Sequence, residues 1–129
     1  MKEYKSVPTD SELEILQLLW QHGPLPVRTV NDLINEKREV GYTTTLKIMQ
    51  IMSEKGMLTR DTSSRTHIYQ ADKPQEETTN NLLNKIIRTA YNGSASKLIM
   101  QALGNHKASA DELKEIKSLI QEIENKKNG

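Results

Sequence analysis

Between Thr9 and Tyr69 the chain sets out three helical stripes, each stopped by its own punctuation, and then two β-prone runs around a polar tip. That order restricts the fold more than any other feature. Thr9-Asp10-Ser11-Glu12 fits a capping box, in which the Thr9 hydroxyl accepts from an early helix N–H and the Glu12 carboxylate reaches back. Leu13, Ile15, Leu16, Leu19 and Trp20 follow at helical spacing until His22-Gly23-Pro24 ends the pattern. Pro24 and Pro26 predict an extended connection, with Pro26 in the first turn of a second helix, where a missing donor is tolerated. That helix turns Val27, Val30, Leu33 and Ile34 inward and runs to about Asn35, after which Gly41 allows the next turn. A third helix is predicted over Thr43–Lys55, ended by Gly56, a residue suited to a left-handed C-terminal position. Thr45, Ile48, Met49 and Met52 share its inner face; Thr43, Thr44, Lys47 and Gln50 look outward. Met57–Arg60 and Thr66–Tyr69 are the β-prone runs of a hairpin whose tip is Asp61–Arg65. Three helices followed by a hairpin is the winged variant of the helix-turn-helix plan.

Asp72-Lys73-Pro74 breaks the chain, and everything after it reads as helix. We therefore expect a winged-helix domain over residues 1–73 and a helical domain over residues 74–129. Leu82, Leu83, Ile86, Ile87 and Ala90 form one stripe, Tyr91-Asn92-Gly93 a stop and Ser94 a cap. Leu98, Ile99, Ala102 and Leu103 form a second stripe, ended by Gly104-Asn105-His106. Ser109-Ala110-Asp111-Glu112 is another capping box, followed by Leu113, Ile116, Ile120 and Ile123, and Asn125–Gly129 is expected to fray. With 35% hydrophobic residues, 4% aromatics and no Phe, these short helices lack the bulk to cover themselves. Packing against a second copy through these stripes is the expected remedy. The fold class expected is mainly α with a small β-hairpin: an N-terminal winged helix-turn-helix plus a C-terminal helical dimerisation domain.

The absence of Cys excludes a disulfide framework, a thiolate metal site and a cysteine nucleophile. No apolar run approaches the roughly 18 residues of a membrane span, and the opening MKEYKSVPTDSE lacks the apolar stretch of a signal peptide. A cytoplasmic chain without membrane insertion is expected. His22, His67 and His106 fall in three segments without ligand spacing, so neither metal nor a catalytic role is expected of them. There is no Gly-rich phosphate loop, nucleophile elbow or distinctive carboxylate spacing, which argues against an enzyme and against a cofactor. Met49, Met52 and Met57 read as flexible core filling.

Net charge decides little: 18 basic against 17 acidic residues leave +1. Locally, Lys47, Lys55, Arg60 and Arg65 make the stretch from Thr43 to Tyr69 positive. On the outer face of the third helix, Gln50 can pair with adenine N6/N7 and Lys47 with guanine O6/N7 or a phosphate. Thr43 and Thr44 offer hydroxyls and methyls to the same groove. Taken alone, such a face is an ordinary solvated helix surface; the surrounding order of elements turns the reading toward DNA. Arg60 and Arg65 bracket the wing, where cations reach phosphate or the minor groove, and Arg28 in the second helix would clamp the backbone. Two other readings stay open: a winged-helix protein-interaction module, and a metal-sensing regulator using histidine and carboxylate ligands.

Ser11-Glu12-Leu13-Glu14-Ile15-Leu16 with Leu19-Trp20, Gly41-Tyr42-Thr43-Thr44-Thr45-Leu46, Glu54-Lys55-Gly56-Met57-Leu58 and Arg60 together resemble the BlaI/MecI/CopY family of penicillinase, methicillin-resistance and copper-responsive repressors. The likeness covers most of the chain. It implies a homodimeric transcriptional repressor on palindromic double-stranded operator DNA, with Tyr42 joining the DNA-contacting residues at the start of the third helix. It also implies, for antibiotic-responsive members, a membrane sensor with a zinc peptidase domain that triggers cleavage within the dimerisation domain. The family's Asn-Phe step falls at Gln101-Ala102 here, and both residues depart from it. The C-terminal cysteines of copper-responsive members are missing, and Leu46 and Ile51 stand where β-lactam-responsive members carry arginines, which implies a different operator.

Overall fold

The structure, a computed structural model, describes residues 7–105 and 107–128, so His106 and Gly129 lie outside the described residues. The elements run α1 (Asp10–His22), α2 (Val27–Asn35), α3 (Tyr42–Glu54), β1 (Leu58–Asp61), β2 (Ile68–Ala71), α4 (Gln75–Ala90), α5 (Ala95–Asn105) and α6 (Ala110–Asn128). The fold is mainly α with one small antiparallel hairpin, the expected winged helix-turn-helix followed by helices. Packing divides the chain into two compact units between Leu83 and Asn84, inside α4.

In the first unit the helical stripes close on one core. Ile15, Leu16 and Leu19 of α1 meet Val27, Val30 and Ile34 of α2, Met49 and Met52 of α3, Leu58 of β1 and Tyr69 of β2. Leu33 is only half-buried, at the rim of that core. The capping box forms as read: the Glu12 N–H donates to Thr9 Oγ1 at 3.2 Å and the Thr9 N–H to Glu12 Oε1 at 3.0 Å. Pro26 sits one residue earlier than expected, as the N-cap of α2 rather than in its first turn. Just before it, Leu25 exchanges two backbone hydrogen bonds of 2.9 Å with Tyr69, adding a one-residue third strand to the hairpin. The indole N–H of Trp20 donates to the Lys73 carbonyl at 2.9 Å, tying the segment ahead of α4 to α1.

The hairpin pairs Leu58 with Ala71, Thr59 with Gln70, Arg60 with Tyr69 and Asp61 with Ile68. β2 starts two residues later than β propensity alone predicts, because the tip makes its own bonds. Asp61 Oδ1 accepts from the Ser63 N–H at 2.9 Å, and the Ser64 hydroxyl donates to the Thr66 carbonyl at 2.9 Å. The first of these holds the Asp61 carboxyl below its ordinary value. Gly56, at φ +83°, takes the left-handed position expected after α3.

The second unit repeats the sequence punctuation. Asn92 and Gly93 both have positive φ, and the Gly93 N–H returns to the Ile87 carbonyl at 2.8 Å, closing α4. Ser94 Oγ accepts from the Lys97 N–H at 3.2 Å at the start of α5. Ser109 and Glu112 form the second capping box, at 2.9 and 3.1 Å. α6 continues to Asn128 rather than fraying from Asn125, with Lys126 and Lys127 in its last turn, where cations suit the negative end of a helix. No described residue of α4, α5 or α6 is buried.

Candidate nucleic-acid interface

α3 is an amphipathic helix with an unusually dry inner side. Thr45, Met49 and Met52 are 0% exposed, while Tyr42, Thr43, Thr44, Lys47 and Gln50 are exposed. At about 100° per residue, the direction opposite the buried trio falls on Thr43, Lys47 and Gln50. Thr44 and Ile51 flank that line on one side, Leu46 on the other. Donors, acceptors and small apolar groups thus share one solvent-facing strip of helix, the combination that base edges in a major groove can use.

Two asparagines fix where α3 begins, and reading them as polar helix positions misses this. Asn31 is buried; its amide donates to the Val40 carbonyl at 3.0 Å and to Thr45 Oγ1 at 2.8 Å. One turn later, the Asn35 amide donates to the Asn31 carbonyl at 2.7 Å and the Val40 carbonyl at 2.8 Å, and its oxygen accepts from the Val40 N–H at 3.2 Å. The sequence signal is Asn31, an amide at an inner position of a helix whose other inner positions are apolar, with the exposed Asn35 one turn on.

Lys55 differs in its surroundings from Arg28 and Arg65. Lys55 donates to Glu12 Oε2 at 2.8 Å, so its charge joins α3 to α1 rather than standing free. Burial pushes the Glu12 carboxyl up, but the Lys55 ammonium and the Thr9 N–H outweigh it, and the net position is below the ordinary carboxylate value. Arg28, Tyr42 and Arg65 instead come together, lining a cleft of about 360 Å³ with Leu46, Thr66 and His67. The Arg28 guanidinium lies 4.8 Å from the centre of the Tyr42 ring, a cation–π pair between α2 and α3. Among the described residues no carboxylate lines this cleft. Arg60 is exposed but outside it, opposite Tyr69 in the hairpin. Sequence spacing gives His67 no role; its place beside the two arginines depends on the wing folding back. Neither α2 nor α3 has a side-chain cap, since their N-cap residues are Pro26 and Gly41.

Among the described residues no three His, Asp or Glu side chains converge in a way that could hold a metal ion, and no helix is long and apolar enough to cross a membrane. In the helices after Pro74, Leu83, Ile86, Ile99, Leu103, Leu113, Ile120 and Ile123 are 40% or more exposed. Leu82, Ile87, Leu98 and Ile116 are half-buried. Met100, 73% exposed, and Leu119, 55% exposed, are further exposed apolar side chains that the stripes read from sequence do not include. Gln101 and Ala102 are exposed in the middle of α5, and Gln101 Oε1 accepts from the Tyr91 hydroxyl at 2.9 Å.

Comparison with known proteins finds a likeness along nearly the whole chain. The sequence model described as penicillinase repressor matches residues 8–122. A penicillinase repressor of Bacillus licheniformis is 23% identical over 128 residues, covering 95% of this chain and 98% of that protein. With the match running from the start of α1 into the last turns of α6, the chain belongs to the penicillinase repressor family.

Proposed function

We propose that this chain, a transcriptional repressor by family, binds palindromic double-stranded operator DNA as a homodimer in the cytoplasm and occludes a promoter. The observation that carries the reading is the two-sided character of α3: a face with no solvent exposure at Thr45, Met49 and Met52, and Thr43, Thr44, Lys47 and Gln50 opposite it. That face enters the major groove and reads base edges. Arg28, Tyr42 and Arg65 hold phosphates from the cleft beside it, and Arg60 adds a contact from the wing.

Residues 1–73 carry DNA recognition in this reading, and residues 74–129 hold two copies together. The support for the second part is the apolar surface of Leu83, Ile86, Ile99, Leu103, Leu113, Ile120 and Ile123, large side chains that water would otherwise cover. Leu82, Ile87, Leu98 and Ile116 complete the same interface. Two linked DNA-binding units then gain affinity from effective concentration, which suits a palindrome. Repression is relieved by a signal that separates the copies; cleavage at Gln101–Ala102 under control of a membrane sensor with a zinc peptidase domain is the form we propose.

Titrating the purified chain against duplex DNA over a range of salt concentrations tests the core of this. Affinity that falls steeply and linearly with the logarithm of salt, with a preference for a selected palindrome over scrambled duplex, is the expected result. Failure to bind duplex at low salt removes the reading and leaves α3 as a protein-docking surface.

A further inference from the structure

We infer that Asn31 is a positioning residue for sequence discrimination: its bond to Thr45, with the Asn35–Val40 contacts beside it, sets the pose in which α3 meets DNA. This rests on the operator-reading role proposed for α3. The start of α3 has no side-chain cap of its own, because its N-cap is Gly41. Its first turn is instead held from α2. Both donors of the Asn31 amide are used, one on the carbonyl of Val40 just ahead of the N-cap and one on the hydroxyl of Thr45, the fourth residue of the helix. Asn35 grips Val40 at both its N–H and its carbonyl. The two ends of the first turn are therefore fixed to one rigid neighbour.

Asn31 is 7% exposed and Thr45 0% exposed, so the bond between them is closed off from solvent. An apolar side chain at either position would fill the space, but apolar packing has little preference for direction. A hydrogen bond prefers nearly linear geometry within a few tenths of an ångström, so it specifies an angle and a register as well as proximity. The outward residues Thr43 and Thr44 sit between the two anchored points, and Lys47 and Gln50 follow within two turns. A small rotation of this first turn moves all four relative to the base edges. Bidentate base contacts lose their discrimination under such a shift, while contacts to phosphate adapt, since flexible cations follow the backbone.

The test compares the wild-type chain with Asn31→Leu, Thr45→Val and Thr45→Ser. A duplex selected by the wild-type protein from random DNA serves as the specific probe, and a scrambled duplex of equal length as the non-specific one. Thermal melting is recorded for every chain. Thr45→Val is nearly isosteric and removes only the acceptor; Thr45→Ser keeps it. The inference expects Asn31→Leu and Thr45→Val to lose roughly ten-fold or more of the ratio between the two affinities, as coupled neighbours do, with scrambled-duplex affinity unchanged. Thr45→Ser should restore the ratio. Variants that keep the wild-type ratio overturn the inference, as does an equal loss for both duplexes or a Thr45→Val chain that no longer folds, since each assigns the bond to stability alone. A wild-type chain with no sequence preference overturns something different, the operator reading of α3 itself.

Discussion

Lys55 Nζ lies 2.8 Å from Glu12 Oε2, so the residue that completes the capping box of α1 also receives the cation at the end of α3. The Glu12 side chain is 6% exposed, and its two oxygens serve different partners. Local helix chemistry and tertiary closure of the winged unit meet in one carboxylate.

A pH dependence follows. Glu12 holds its proton less readily in the folded chain than in the unfolded one, so the unfolded state takes up the proton first on acidification. The stability it contributes is present above the ordinary Glu pKa of about 4.3 and is lost as pH falls through the lower folded value. Lys55→Met should lower stability by roughly 1–3 kcal/mol at neutral pH, since a nearly buried carboxylate loses its cation. It should also flatten the fall in urea midpoint between about pH 6 and about pH 3. Parallel pH profiles for the two chains would show that the pair does not couple to folding.

Lys47→Ala and Gln50→Ala should each weaken binding to a selected duplex by roughly 1–3 kcal/mol if they make bidentate base contacts, with dimerisation unchanged. Lys47 has a second possible partner in a phosphate, and salt separates the two: removing a phosphate-bound cation reduces the slope of log affinity against log salt by about one. Wild-type affinity in both variants would remove α3 as the reading element.

Ile99→Asp with Ile120→Asp places charges on two side chains that are 50% and 51% exposed, so the fold of a single copy should tolerate them. Sedimentation should find the variant monomeric. Its affinity for a full palindrome should drop by about 10²–10⁴-fold, while half-site affinity stays as in wild type. A variant that still sediments as a dimer would place the interface elsewhere.

What is legible in the sequence is what depends on near neighbours. The Thr9 and Ser109 capping boxes, the Gly56 terminus and the stop at Tyr91-Asn92-Gly93 are each decided within three or four residues, and each forms where its residues stand. The helical stripes predict the core because a period of 3.6 places Ile15, Leu16 and Leu19, or Met49 and Met52, on one side whatever they pack against. Illegible are features set by distant partners. Nothing in Leu25 announces its bridge to Tyr69, and the late start of β2 reflects the bonds of Asp61 and Ser64 rather than the propensity of Thr66 and His67. The assembly of Arg28, Tyr42, Arg65 and His67 around one cleft spans three segments far apart in sequence. Asn31 is hidden for a further reason: a buried amide and an exposed one have the same letter, and only its partners tell them apart.

The proposed switch at Gln101–Ala102 carries its own structural condition. Both residues lie in the middle of α5, where the backbone is hydrogen-bonded and closed to a protease that needs an extended chain. Cutting therefore requires α5 to open first, and α5 is suited to that: none of its residues is buried, so little apolar contact within one copy resists opening. Gln101 is further held by the Tyr91 hydroxyl at 2.9 Å, a contact at the surface that Tyr91→Phe removes at small cost. Cleavage would separate α6, with Leu113, Ile116, Ile120 and Ile123, from α4 and most of α5. The dimer would lose a third of its apolar helices without any change at α3, and operator occupancy would fall through effective concentration alone. Mass spectrometry of the repressor recovered from derepressed cells should find a fragment ending at Gln101 and another beginning at Ala102, formed faster in Tyr91→Phe. An intact chain after full derepression would exclude cleavage as the switch, and a cut at another bond would move the site.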